Sequence, residues 1–233
     1  MTHSLEPIDL RAVHRLPLFP LSDEVHFPHT ELRLHVVDSE YCTLVQDLFL
    51  RRGREAHVGM VLLRPGYRGS RVHPPVFADG TAARVLEVEE DTDGVHVVVH
   101  GETRFHVEKE TGSPPCREAL VRWVDEPSLS ETDPEIQSLR RELLETTTVL
   151  AGELGEGFRL HDHLMELEAD LPFEAVVNHM AANVDVGPLR KLQLLRDAVP
   201  ERALRLLTIL RHRCQVLDVL RPYRHLEPAS ARN

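Results

Sequence analysis

The sequence predicts an α+β protein: a β-rich part with one inserted helix over residues 1–126, a polar linker over 127–133 and a helical bundle over 134–233. Three observations carry this expectation. The stretch from Leu16 to Leu34, LPLFPLSDEVHFPHTELRL, interleaves apolar residues with Pro17, Pro20 and Pro28. Each proline fixes its own φ, lacks an N–H and pushes the preceding residue toward extended geometry, so the stretch is strand and kinked loop rather than helix. From there to about Glu126 apolar residues recur mainly with period two, whereas beyond Asp133 they recur at spacings of three and four.

The β-rich part divides as follows. Leu32, Leu34 and Val36 alternate with Arg33 and His35 in a half-buried strand. Asp38 or Ser39 then caps a helix whose apolar face is Tyr41, Leu44, Val45, Leu48 and Phe49, and Gly53 closes it. His57–Leu63, HVGMVLL, suits a strand buried on both faces. A proline- and glycine-rich loop runs from Pro65 to Pro75. Thr81–Glu89 is expected as a strand, Asp91–Gly94 as its turn and Val95–His100 as the return, with further strands beginning at Gly101 and covering Arg117–Val124.

In the helical part, Asp133-Pro134 pairs an N-cap with a proline at the first helical position, ahead of Ile136, Leu139, Leu143 and Leu144. Gly155 and Gly157 are expected to break that helix. Leu171-Pro172 opens a second with Phe173, Val176, Val177, Met180, Ala181 and Val184 on one face, stopped by Gly187-Pro188. A short helix holds Leu189, Leu192 and Leu195, and the last, initiated by Pro200, is expected to bury Leu204, Leu207, Leu210, Cys214 and Leu217. One apolar stripe per helix predicts a bundle.

With 233 residues, 42% of them hydrophobic, the chain has material for a substantial core. Its formal charge of -11 disfavours phosphate backbones, so no nucleic-acid partner is expected. No apolar run has the length of a membrane span or a signal peptide, and Cys42, Cys116 and Cys214 form no C-x-x-C. The expectation is a cytoplasmic protein with reduced thiols and no membrane partner.

Several of these segments resemble the LON substrate-binding domain, the N-terminal domain of Lon proteases. The correspondence runs through Pro17–Leu21, Val25–Pro28, Leu32–Leu34 and Tyr41, then Gly59-Met60-Val61, Gly80-Thr81-Ala82 and Gly101-Glu102-Thr103-Arg104-Phe105. Where the family carries Phe-Glu-Pro-Arg ahead of the tyrosine, this chain has Val37, Asp38, Ser39 and Glu40. Lys191–Arg196 is similar to the family's K-Q-x-L-L-E segment. The resemblance implies a PUA-like, partly closed β-barrel followed by helices, in a stand-alone form. It also implies a non-catalytic module that binds protein or unfolded polypeptide segments.

The residues themselves supply no catalytic set. No G-x-x-x-x-G-K-[ST] occurs to cradle a triphosphate; of the only lysines, Lys109 sits at a polar strand end among Glu108, Glu110 and Thr111, and Lys191 lies in a helix without a neighbouring serine. No ATPase, peptidase or cofactor is therefore expected. Among the 15 histidines, His96, His100 and His106 make the best trio for a metal, and His161 with His163 a weaker pair. Solvent-facing roles opposite Val95, Val97 and Val99 explain the trio better, so no metal site is predicted. The competing readings are a metal-dependent enzyme built on such a cluster and an RNA-binding PUA-type protein. Recognition chemistry concentrates in the loop before the fourth strand, where Tyr67, Arg68, Arg71, Val72 and Phe77 combine rings, guanidinium groups and nearby glycines; these are the predicted peptide-binding residues.

Overall fold

The computed structural model describes residues 13–66, 74–112, 117–154 and 171–221. They form a mixed β-sheet of six strands and five α-helices among the described residues: β1 (His14–Leu21), β2 (Glu31–Val36), α1 (Ser39–Arg52), β3 (His57–Leu63), β4 (Val76–Glu90), β5 (Val95–Glu110), β6 (Glu118–Trp123), α2 (Pro134–Leu154), α3 (Phe173–Asn183), α4 (Pro188–Arg196) and α5 (Val199–Leu220). Residues up to Pro127 together with Asp185–Arg196 make one compact unit, and Ser128–Val184 with the chain from Asp197 onward make a second.

In the first unit the sheet runs β2-β5-β4-β3-β1-β6, and β6 also pairs with β5, so that the hydrogen-bonded circuit returns on itself. All neighbours are antiparallel except β1 and β3, which run parallel with Leu18 beside Gly59 and Leu21 beside Leu62. Parallel neighbours need a crossover, and α1 lies within it. Asp38 caps α1 through a bond from the Glu40 N–H at 3.0 Å, and Gly53 ends it at φ 56°, a left-handed value glycine adopts without steric cost. Leu44 and Val45 are buried, and Tyr41, Leu48 and Phe49 pack at the edge of a core formed by Phe19, Val58, Met60, Val85, Val97 and Val99.

Strand β5 differs from expectation. The segments expected as separate strands on either side of Gly101 are one 16-residue strand, because an extra residue of β5, Glu102, bulges opposite Ala82 and Ala83 and lets β5 bend beside Gly101 without breaking. The bend presses Gly101 against the preceding loop: a Cβ there would lie 2.2 Å from the Phe27 carbonyl oxygen. Gly80 faces the same constraint, 2.3 Å from the Met60 oxygen and 2.8 Å from the Phe105 ring. The hydroxyl between them in the chain, Thr81 Oγ1, donates to the His26 carbonyl at 2.7 Å. The residues of the G-T-x-A and G-x-x-R-F motifs thus hold the loop from Ser22 to Thr30 against the sheet, with Phe27 and Phe105 fully buried.

In the second unit Asp133 caps α2 through the Glu135 N–H at 2.8 Å, and Glu131 accepts the Phe173 N–H at the start of α3 at 2.7 Å. Helix α5 begins one residue before Pro200 and packs on α2 and α3. Its buried face is Val199, Arg202, Ala203, Leu206, Leu207 and Leu210, whereas Leu204, expected inside, is 53% exposed. The stripe is displaced by Arg202, a fully buried guanidinium that donates to Asn178 Oδ1 and, at 2.9 Å, to the Asp197 carbonyl. Gly155 and Gly157 lie outside the described residues. No described helix is long and apolar enough to cross a membrane.

Candidate functional site

At the C-terminal ends of β1 and β3 the chain leaves a groove of about 190 Å³, lined by Ser22, Asp23, Leu62, Leu63, Arg64, Pro65, Gly66, Pro188 and Leu189. The parallel pairing of β1 and β3 brings both strand ends to one place, and the first turn of α4 supplies the far wall. Leu189 is half exposed, an apolar residue at the lip of an apolar groove.

Arg64 connects this groove to Phe77. Its guanidinium lies 5.4 Å from the Phe77 ring centroid while its Nε donates to the Val76 carbonyl at 3.0 Å. Arg196, from the last turn of α4, lies 5.8 Å from the same centroid. Phe77 is half-buried among these cations, an arrangement in which the ring quadrupole attracts both guanidinium groups. Arg196 is itself oriented by Asp79, 2.6 Å from its Nε, and the other Asp79 oxygen meets His106 Nδ1 at 2.7 Å. Burial alone would raise the Asp79 pKa, but the bonds from His106 and Arg196 outweigh it and hold the carboxyl below its ordinary value. The site therefore keeps an anion bonded to Arg196, one of the two guanidinium groups that lie on the Phe77 ring.

The described residues on either side of 67–73 are tightly held. The Arg64 N–H donates to the Pro75 carbonyl at 2.9 Å, and the buried Arg117 donates to the Pro74 carbonyl at 2.6 Å while forming a two-pronged pair with Glu110. Of the predicted peptide-binding residues, Phe77 belongs to this cluster, and Tyr67, Arg68, Arg71 and Val72 lie outside the described residues. Sequence reading missed Arg64, Leu189 and Arg196; the only available signal was Arg64 at the end of the apolar run of β3.

His96, His100 and His106, weighed as a metal trio and set aside, do not converge among the described residues. His106 pairs with Asp79, and His96 stands opposite His35 and beside Asp91. The latter three are the only convergent metal-ligand group among the described residues. His161 and His163 lie outside the described residues. His57 pairs with Glu102 at 2.7 Å, a bond that raises the His57 pKa and lowers that of Glu102; Arg84 lies 3.0 Å from the same carboxylate. Lys191 faces Glu24 at 3.7 Å.

Comparison with known proteins agrees with this architecture. The chain is 29% identical to the Lon protease of Anaeromyxobacter dehalogenans over 206 residues, and 27% identical to Lon protease 2 of Myxococcus xanthus over 198, alignments that cover 84% and 81% of this chain. In each case it spans only 22% of the relative's length. The structure resembles the Lon N-terminal domain protein from Xanthomonas campestris, with a TM-score of 0.58 at 25% identity, covering 84% of this chain and 98% of that one. The N-terminal domain of a Mycobacterium avium complex Lon protease shares the fold, with a TM-score of 0.59 at 18% identity, covering 87% and 98% of the two chains. The substrate-binding domain of ATP-dependent protease La (LON) matches residues 15–212, and the chain belongs to that family.

Proposed function

We propose that this chain is a non-catalytic recognition module that binds extended or unfolded polypeptide in the groove beside Phe77. The carrying observation is the junction at Arg64, where an apolar groove meets a ring contacted by two guanidinium groups in a substrate-binding family. Leu62, Leu63 and Leu189 offer apolar contact; Arg64 and Arg196 offer donors to backbone carbonyls or acidic side chains. Tyr67, Arg68, Arg71 and Val72, which follow Arg64 closely in sequence, are proposed as further peptide contacts on their ring and guanidinium chemistry.

The closed circuit of strand pairings supports a PUA-like reading of the β-unit, and the polar stretch 127–133 supports a linker between sheet and bundle. The acidic balance supports protein rather than nucleic acid as partner. Cys42 and Cys214 are free thiols, which supports a reducing, cytoplasmic setting.

The test is fluorescence anisotropy of labelled extended peptides against the purified chain at low and high salt. Modest affinity with weak salt dependence is expected, and the Tyr67→Ala, Arg68→Ala double variant should bind less tightly at an unchanged thermal midpoint. Absence of binding across a diverse peptide set by folded protein would overturn the proposal.

A further inference from the structure

At the opposite end of the long hairpin, β2 lies against β5 with His35 directly facing His96. Their rings stack, centroids 4.6 Å apart and planes 20° from parallel. The turn between β4 and β5 brings two carboxylates to this pair: Asp91 Oδ2 is 2.9 Å from His96 Nε2, and Asp93 Oδ1 is 3.3 Å from His35 Nε2. The ligand atoms of His35, Asp91 and His96 all lie within 4.8 Å of one another.

The turn is built to keep this arrangement. The Asp91 N–H donates to the Gly94 carbonyl at 3.0 Å, and Gly94 packs so closely on the end of β2 that a Cβ would sit 2.2 Å from the Val36 oxygen. Asp91 Oδ1 accepts the Thr92 N–H at 2.6 Å, which turns Oδ2 toward His96. Such a bond to the non-ligating oxygen is how proteins orient a metal-binding carboxylate. Glu87 and Glu89 line the adjoining hollow of about 360 Å³ with Arg33, so carboxylates outnumber cations around the histidines.

We propose that His35, His96 and Asp91 bind a divalent transition-metal cation of the zinc type, with Asp93 turning in as fourth ligand. Tetrahedral zinc with bonds of about 2.0–2.1 Å holds its ligand atoms about 3.3 Å apart. The two imidazole–carboxylate separations, 2.9 and 3.3 Å, lie at that spacing, and the remaining closure needs only rotation of exposed side chains. Two imidazoles with carboxylates suit zinc better than the all-oxygen sets of calcium or magnesium. The ion would clip β2, which has a single strand neighbour, to the hairpin tip.

The experiment is calorimetric titration of the tag-free chain of 233 residues with zinc chloride in a non-chelating buffer, followed by thermal melts with and without zinc. One equivalent should bind in the micromolar range and raise the thermal midpoint. His35→Gln and His96→Gln, both exposed substitutions, should each weaken binding at least about tenfold and abolish the zinc-dependent rise. His212→Gln, on α5, should change neither. Failure of wild type to bind one equivalent, or equal affinity in wild type and both histidine variants, would overturn the site.

Discussion

The guanidinium of Arg104 on β5 donates to the carbonyl of Leu195 at 2.6 Å and to that of Arg196 at 3.1 Å, closing the C-terminal end of α4. A helix end leaves carbonyls without intrahelical partners, and a cation there also meets the negative end of the helix dipole. Glu126 balances the charge, 2.5 Å from Arg104 Nε, with both side chains largely buried. The arginine of the G-x-x-R-F motif therefore joins the sheet to the helix that carries Leu189 and Arg196.

Removing one member of that pair leaves the other charge buried. Arg104→Met should destabilise the chain by about 3–5 kcal/mol, measured by urea unfolding. Adding Glu126→Gln should recover part of the loss, because the buried side chain that faced Arg104 is then neutral. Equal stability of wild type and Arg104→Met would show that the pair does not hold α4.

Gly101→Ala and Gly80→Ala place a methyl against backbone oxygen at 2.2 and 2.3 Å, which no side-chain rotation relieves. Each should cost about 1–3 kcal/mol. Gly152→Ala, where a Cβ meets nothing within 4 Å on α2, should be neutral or stabilising. Thermal melts of the three variants separate the close approaches from the open position.

Acid should weaken the fold partly through His26. Burial, reinforced by His100, lowers the His26 pKa from 6.5 to about 3, and its Nε2 has no hydrogen-bond partner among the described residues. Between those two values the unfolded chain binds a proton at this ring and the folded chain does not, so stability falls as pH drops below 6.5. From pH 7 to pH 5 this group accounts for about 2 kcal/mol. His57 acts in the opposite sense: its raised pKa gives stability that is present in acid and lost as pH rises through the folded value. Urea titrations of His26→Leu should show a correspondingly smaller loss between pH 7 and pH 5; identical slopes would exclude the ring as the titrating group.

The proposed linker should be cut first in limited proteolysis, within Pro127–Ser130, where the backbone is outside helix and strand and mostly exposed. First cleavage inside β4 or β5 would misplace the boundary.

How much of this was legible follows from what each signal reports. The Asp38 cap, the Gly53 stop and the Asp133-Pro134 start are local, and the structure shows each where the sequence puts it. Period two locates β4 and β5 but not their continuity, because Gly101 reads as a break in sequence and works as a bend only beside the Glu102 bulge, which pairing with β4 reveals. Hydrophobic periodicity finds Leu192 and Leu195 on the buried face of α4 but also places Leu189 there, which the structure leaves half exposed at the groove. It misplaces the face of α5, because a buried arginine counts as polar. The same limit applies to the sites: His35 and His96 are 61 positions apart, His96 − His35, and only pairing in register makes them neighbours. The groove at Arg64 needs the parallel pairing of β1 with β3, which no local pattern encodes.

The central claim, that the groove beside Phe77 receives polypeptide, is tested most directly by Leu189→Asp. Leu189 is 50% exposed, so the substitution should leave the thermal midpoint within about 2 °C of wild type. It places a carboxylate in the apolar wall, and peptide affinity measured by anisotropy should fall at least about tenfold, the equivalent of 1.4 kcal/mol. Unchanged affinity in a folded Leu189→Asp protein that still binds peptide would contradict the account.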